Sequence, residues 1–149
     1  CGLLFSTVAY FDRVPGLQPN KNFIEGIKFL SEQEIGAIVF SHYSRGTYLS
    51  YAGKKNFMDT NFLYAPGVIS RARDADRLLT TTNINTATAI INKYNIEYIW
   101  LDKGLAEKLW VNDEIELLFL LRYSPSFTKI FSNDDVEIYQ YKPMGAKNV

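Results

Sequence analysis

The chain has 149 residues but only one cysteine, Cys1, and one histidine, His42. A lone thiol cannot close an internal disulfide, so a disulfide-stapled scaffold is excluded, and a structural zinc site of cysteines and histidines lacks its ligands. Net charge is missing as well, since 16 basic side chains offset 16 acidic ones. A nucleic-acid binder needs a basic surface to displace counterions from phosphate, and no such excess exists. Long apolar runs are also lacking. The run nearest an end, Gly2 to Phe11, falls well short of the roughly 20 residues that cross a bilayer, and no basic region precedes it as in a secretory signal. It reads either as a buried strand or packed N-terminal segment, or as the tail of a transmembrane helix. Because the chain opens on Cys1 rather than Met, a fragment or processed product is expected.

Aromatic side chains, by contrast, are plentiful: ten Tyr and ten Phe, within a 47% hydrophobic composition. That apolar share with mixed charges excludes disorder, and the length suits one domain able to bury a sizeable core. Aromatics serve cores and wet recognition surfaces equally well, so their distribution carries the information.

Two prolines and a glycine make Arg13 to Pro19 a connector, dividing an N-terminal apolar segment (1–19) from one α/β domain (20–149). A helix is predicted from Asn22 to Glu34, with Asn22 as N-cap and Phe23, Ile24, Ile27 and Leu30 on its apolar face. Ile35 to Phe40 reads as a buried strand, followed by the polar loop Ser41 to Gly46 and a short helix Thr47 to Ala52 closed by Gly53. Asn56 to Asp59 reads as extended. Helical segments are expected at Ala72 to Leu79 and Thr86 to Tyr94, the second capped by Asn85 or a preceding Thr and stopped by Asn95 in the left-handed conformation. Ile96 to Leu101 is a second strand. Helices near Leu105 to Leu109 and Asp113 to Arg122 lead to a hairpin, Phe127 to Phe131 with Val136 to Tyr141. Neither face of the last strand is purely apolar, so its core-facing side stays open. The fold class is α/β, with α+β as the alternative: helices around a mixed sheet that ends in an antiparallel hairpin.

Neither the dinucleotide glycine fingerprint nor the P-loop pattern occurs, and no nucleophile elbow is present. Ser41 and Ser44 flank His42, but neighbours in sequence rarely form a Ser-His-Asp geometry. No cofactor, metal site or catalytic residue is indicated. Asp74 with Asp76, and Asp134 with Asp135, read as solvated surface and turn carboxylates. The remaining candidate is Ser41 to Tyr64, which follows the carboxyl end of a buried strand, where open α/β sheets collect ligands. Its candidate ligand-binding residues are His42, Tyr43, Arg45, Tyr48 and Asp59, an aromatic-polar mixture suited to a sugar or peptide. The plainer alternative makes Tyr48, Phe57 and Phe62 core and pairs Arg45 with Asp59.

The order of an apolar strand, Ser41-His42-Tyr43-Ser44-Arg45-Gly46 and then Gly53-Lys54-Lys55-Asn56-Phe57-Met58-Asp59 resembles the start of the extracytoplasmic C-terminal domain of polytopic membrane glycosyltransferases, in particular oligosaccharyltransferase catalytic subunits of archaea and bacteria. In that family a strand leads into Ser-Trp-Trp-Asp-Tyr-Gly. Here Ser41 and Gly46 match, while His42, Tyr43, Ser44 and Arg45 occupy the four positions between them. Lys93 to Trp100 is similar to the family's helix-to-strand junction, and Phe127 to Tyr139 to its closing hairpin. The resemblance implies an archaeal-type membrane protein domain on the extracytoplasmic side of the cell membrane. It would bind an acceptor or brace the transmembrane part, and would have no catalysis alone, because the family's catalytic carboxylates lie between membrane helices. The implied partners are that transmembrane part and a sugar, lipid-linked sugar or peptide acceptor, with no nucleic acid. Two other readings stand beside it: a self-contained α/β small-ligand-binding domain or enzyme using His42 and Asp59, and a structural module with Tyr51 and Tyr64 exposed.

Overall fold

The computed structural model describes residues 19–58, 67–103 and 116–143. The Gly2 to Phe11 run, Asp59, Phe62, Tyr64 and the helix expected at Leu105 to Leu109 lie outside them.

Helix α1 spans Lys21–Ser31. Its N-cap is Asn20 rather than Asn22, because Asn20 holds the extended conformation a cap requires and its Oδ1 accepts the Phe23 amide at 2.8 Å. Asn22 lies inside the first turn. Phe23, Gly26 and Leu30 form the buried stripe, whereas Ile24 faces outward, more than half exposed. Strand β1 is Ile38–Phe40, shorter than predicted. Gly36 at φ +81° turns the chain first, which leaves Ile35 on the surface. A 3-10 turn, Tyr43–Arg45, leads into helix α2, Gly46–Tyr51, and Gly53 at φ +71° ends it as expected. Strand β2 is only Lys55–Asn56.

Helices α3, Val68–Thr80, and α4, Ile84–Lys93, follow. The cap of α4 is Asn83, whose Oδ1 accepts from the Asn85 and Thr86 amides, not the expected Asn85 or a Thr. Asn95 takes the predicted left-handed conformation. Strand β3, Ile96–Asp102, helix α5, Glu116–Tyr123, and strands β4, Phe127–Ser132, and β5, Val136–Tyr141, complete the described chain.

The strands form one five-stranded sheet in the order β2-β1-β3-β5-β4. β1 runs parallel to both β2 and β3, whereas β5 is antiparallel to β3 and β4. The fold is therefore α/β, with a mixed sheet and a C-terminal antiparallel pair. Both faces are covered. One packs Leu78, Ile90, Ile91, Leu117 and Leu121 from α3, α4 and α5 against Ile99, Leu101 and Tyr139. The other packs Phe23, Leu30 and Leu49 from α1 and α2 against Trp100, Val136 and Ile138. This settles the ambiguity of β5: Val136 and Ile138 serve one core, and Tyr139 serves the other. On the aromatic side the helix comes very close, since a Cβ added at Gly26 would lie 2.8 Å from Cη2 of Trp100. Among the described residues no helix is long and apolar enough to cross a membrane.

Candidate functional site

The parallel pair β1–β3 ends in two polar segments that meet. At the exit of β1, Ser41 Oγ donates to Asn56 Oδ1 at 3.1 Å and ties the loop to β2. His42 is extended and caps the 3-10 turn, its Nδ1 2.7 Å from Ser44 Oγ and 3.4 Å from the Ser44 amide. Because Nδ1 accepts that amide, the neutral ring is assigned its proton on Nε2. The Tyr43 ring lies 4.2 Å from the His42 ring, centroid to centroid, and is among the exposed large side chains.

Arg45 turns inward from the same loop. Its Nε donates to Asp102 Oδ2 at 2.9 Å and its Nη2 to Oδ1 at 2.8 Å, a two-point fork. Asp102, the last residue of β3, is 6% exposed at its side chain, and Arg45 is 31% exposed. The guanidinium carbon lies 5.5 Å from the centre of the Phe23 ring. Phe23 in turn makes edge contacts with Tyr48 and Trp100, at 5.1 and 5.2 Å between centroids. The hydrogen bonds that Arg45 donates to Asp102 raise its pKa above the usual value, against the opposing pull of burial.

Four of the predicted site residues, His42, Tyr43, Arg45 and Tyr48, therefore share one turn and the start of one helix; the fifth, Asp59, is outside the described residues. Arg45 takes Asp102 as a carboxylate partner; Asp59, the partner expected by the plainer alternative, lies outside the described residues. Asp102 and Phe23 were missed as site residues. The only sequence signal for Asp102 is an acidic residue closing the mostly apolar strand Ile96 to Leu101, and the parallel pairing of β3 with β1 is what carries it to the loop. Phe57 is core, as the plainer alternative expected.

Two carboxylates expected to be solvated are engaged. Asp74 Oδ2 accepts from Lys93 Nζ at 2.7 Å and from the Tyr94 hydroxyl at 2.8 Å, and these bonds hold its pKa below the ordinary carboxylate value. Asp135 Oδ2 accepts the side-chain amides of Asn20 and Asn22, both at 2.9 Å, fastening the hairpin turn to the start of α1. A groove of about 410 Å³ runs along α3 and α4, lined by Asp74, Arg77, Asn83, Asn85, Thr86 and Lys93 among others. Among the described residues no group of three His, Cys, Asp or Glu could hold a metal ion.

The class defined by these observations is a two-faced α/β domain with a polar loop at the carboxyl end of its parallel strands. Solved structures of that class include the C-terminal globular domain of an oligosaccharyltransferase from Archaeoglobus fulgidus, which is similar at a TM-score of 0.64 and 14% identity over 85% of this chain and 100% of that one. A second structure described as the C-terminal globular domain of oligosaccharyltransferase from the same organism is similar at a TM-score of 0.51 and 14% identity, over 83% and 97%. No protein-family model and no curated protein matches the chain. The likeness read from the sequence pieces is present in the fold.

Proposed function

We propose that this chain is an extracytoplasmic domain of an archaeal-type, oligosaccharyltransferase-like membrane protein, forming one unit over residues 20–149, with the apolar segment 1–19 leading from the membrane. The loop bearing His42, Tyr43, Arg45 and Tyr48, with Asp59, binds an acceptor or braces the transmembrane part, and the domain alone performs no glycosyl transfer. The observation that carries this reading is the placement of the loop. It leaves the carboxyl end of β1, is clamped to the end of β3 through Arg45 and Asp102, and does so in a fold similar to that of the Archaeoglobus domains. Ligands gather at this edge of open α/β sheets because loops diverge there around fixed strand ends. The partners on this reading are the membrane part of the same protein and a sugar, lipid-linked sugar or peptide acceptor.

Hydropathy of the whole gene product, followed by fractionation of the tagged full-length protein, tests the assignment. Several spanning helices ahead of Cys1 and recovery in the membrane fraction are expected. A gene product without spanning helices overturns it and favours the second reading, a self-contained small-ligand-binding domain. That second reading places its site at His42 and Asp59, and the contact of His42 Nδ1 with Ser44 Oγ at 2.7 Å is the observation that favours it.

A further inference from the structure

We infer that Arg45, held in place by Asp102, is the ligand-reading group of the loop, and that the group it reads is a monoanionic oxyanion, either a carboxylate or a phosphodiester. The inference rests on the loop's role in ligand binding proposed above and names the chemistry of that ligand. Three observations carry it.

First, only part of the guanidinium is used. Its Nε–H and one Nη2–H go to Asp102. Both Nη1 hydrogens and the second Nη2 hydrogen have no acceptor among the described residues. The edge formed by Nη1 and Nη2 matches the spacing of two oxygens on one anion, as a lysine ammonium would not. Second, the side chain is pre-organised. Asp102 fixes it from one edge, and the Phe23 ring, itself wedged between Tyr48 and Trp100, lies within cation–π range. A long flexible side chain fixed before the ligand arrives loses little rotamer entropy on binding. Third, the Arg45 side chain retains 31% exposure, while the side chain of the Asp102 that orients it retains 6%. The more deeply buried half of the pair is the one that cannot contact a ligand anion favourably.

The charge of the ligand follows from the same pair. Asp102 already offsets one positive charge, and a second negative charge on the ligand would repel the Asp102 carboxylate a few ångströms away. A monoanion gains the charge-assisted hydrogen bonds with the least repulsion. A neutral hydroxyl ligand forgoes the charge assistance altogether.

The test uses the 149-residue chain, labelled with 15N, at constant ionic strength. Its backbone amides 42–46 and the Arg45 side-chain signals are followed by NMR during titration with glucuronate, dimethyl phosphate, the methyl phosphate dianion or neutral methyl glucoside. One or both monoanions should move these signals saturably, with affinity at least about tenfold above methyl glucoside and above the dianion. Response to glucuronate alone assigns the anion to an acidic sugar, and response to dimethyl phosphate alone assigns it to a lipid-linked phosphodiester. In the double variant Arg45→Met/Asp102→Leu, which removes both charges and keeps apolar volume, monoanion affinity should fall about tenfold or more while the folded spectrum is retained. The inference is overturned if methyl glucoside binds as tightly as the monoanions, if the dianion binds more tightly, if no titrant moves the loop, or if the folded double variant binds unchanged. Methyl glucoside moving the loop where the anions do not would overturn the anion chemistry and leave the loop's ligand-binding role standing. The membrane-domain assignment is decided separately by the gene product.

Discussion

The two ends of the parallel strands each carry one inward-turned cation, and the two are treated in opposite ways. At the carboxyl end Arg45 meets a buried carboxylate, and its side chain keeps about a third of its surface exposed. At the amino end Lys54 is 4% exposed and, among the described residues, meets no carboxylate within bonding distance. Its Nζ donates instead to the carbonyls of Gln33, just past α1, and Ala52, which caps α2, at 3.1 and 3.4 Å. Those carbonyls belong to helix C-termini, where partial negative charge welcomes a cation. Burial lowers the Lys54 pKa, against the weaker opposing pull of Glu97 and Glu34. Lys54, almost wholly buried, spends two of its three N–H donors in holding two helix ends together, while Arg45, a third exposed, spends two of its five. A buried cation is therefore not in itself a sign of function; unspent hydrogen-bonding capacity is the better guide.

The contrast can be broken most sharply at Arg45. Arg45→Met takes the two-point guanidinium bond away from the buried Asp102 carboxylate and should cost about 3–5 kcal/mol, seen as a lower urea midpoint at unchanged slope. The double variant Arg45→Met/Asp102→Leu should recover most of that loss. If the single variant is as stable as the parent, Asp102 is not the buried anchor described.

Gly26→Ala attacks the platform beneath Arg45. The new methyl meets Cη2 of Trp100 at 2.8 Å and Cγ1 of Val136 at 3.0 Å. Overpacking of this kind costs about 1–3 kcal/mol, offset in part by the better helix propensity of Ala. A shift of the Phe23 and Arg45 signals should accompany the loss of stability, because Phe23 rests on Trp100.

Lys54→Met should cost less than Arg45→Met, about 1–2 kcal/mol, since losing the ammonium leaves two carbonyls short of a donor but also removes a desolvated charge. Its pH signature is more telling. The folded pKa lies below the unfolded one, so between the two the unfolded state binds more protons and stability rises with pH. The parent should thus gain stability as pH climbs toward the ordinary lysine value of about 10.4, and Lys54→Met should flatten that rise.

The smallest effect belongs to the exposed pair. Asp74→Asn removes a carboxylate held low by Lys93 and Tyr94, whose contribution is present above about pH 4 and disappears as the pH falls below it. The variant should show a flatter acid limb in thermal melts, and its difference from the parent should shrink in high salt.

Much of this contrast could not be read along the chain. The sequence shows that Lys54 and Arg45 are basic, and it correctly places β3, the hairpin, Gly53 and Asn95, because apolar runs and turn residues act locally. It places His42, Tyr43, Arg45 and Tyr48 together because they are neighbours. It misses Asp102 because that contact depends on which strands pair, and strand order leaves no local trace. The caps at Asn20 and Asn83 were missed for a related reason: Asn22 and Asn85 are also asparagines, and only backbone conformation selects between them. Ile24 and Ile35 fail the simple rule that large apolar residues go inside, one turned off the buried stripe and the other stranded by Gly36.

The bonds from Asn20 and Asn22 to Asp135, and from Asn133 to the Asn22 carbonyl, join residues 111 to 115 positions apart. Val136 and Ile138 of the same hairpin close the core over Phe23, Leu30 and Trp100. A nascent chain synthesised only as far as Tyr123 therefore lacks the strands that seal this side, and Trp100 remains without part of its covering. Contacts so far apart form late, because their closure entropy is met before they return any stabilisation. On the ribosome, the half of the molecule that carries the aromatic platform is the last to become solid.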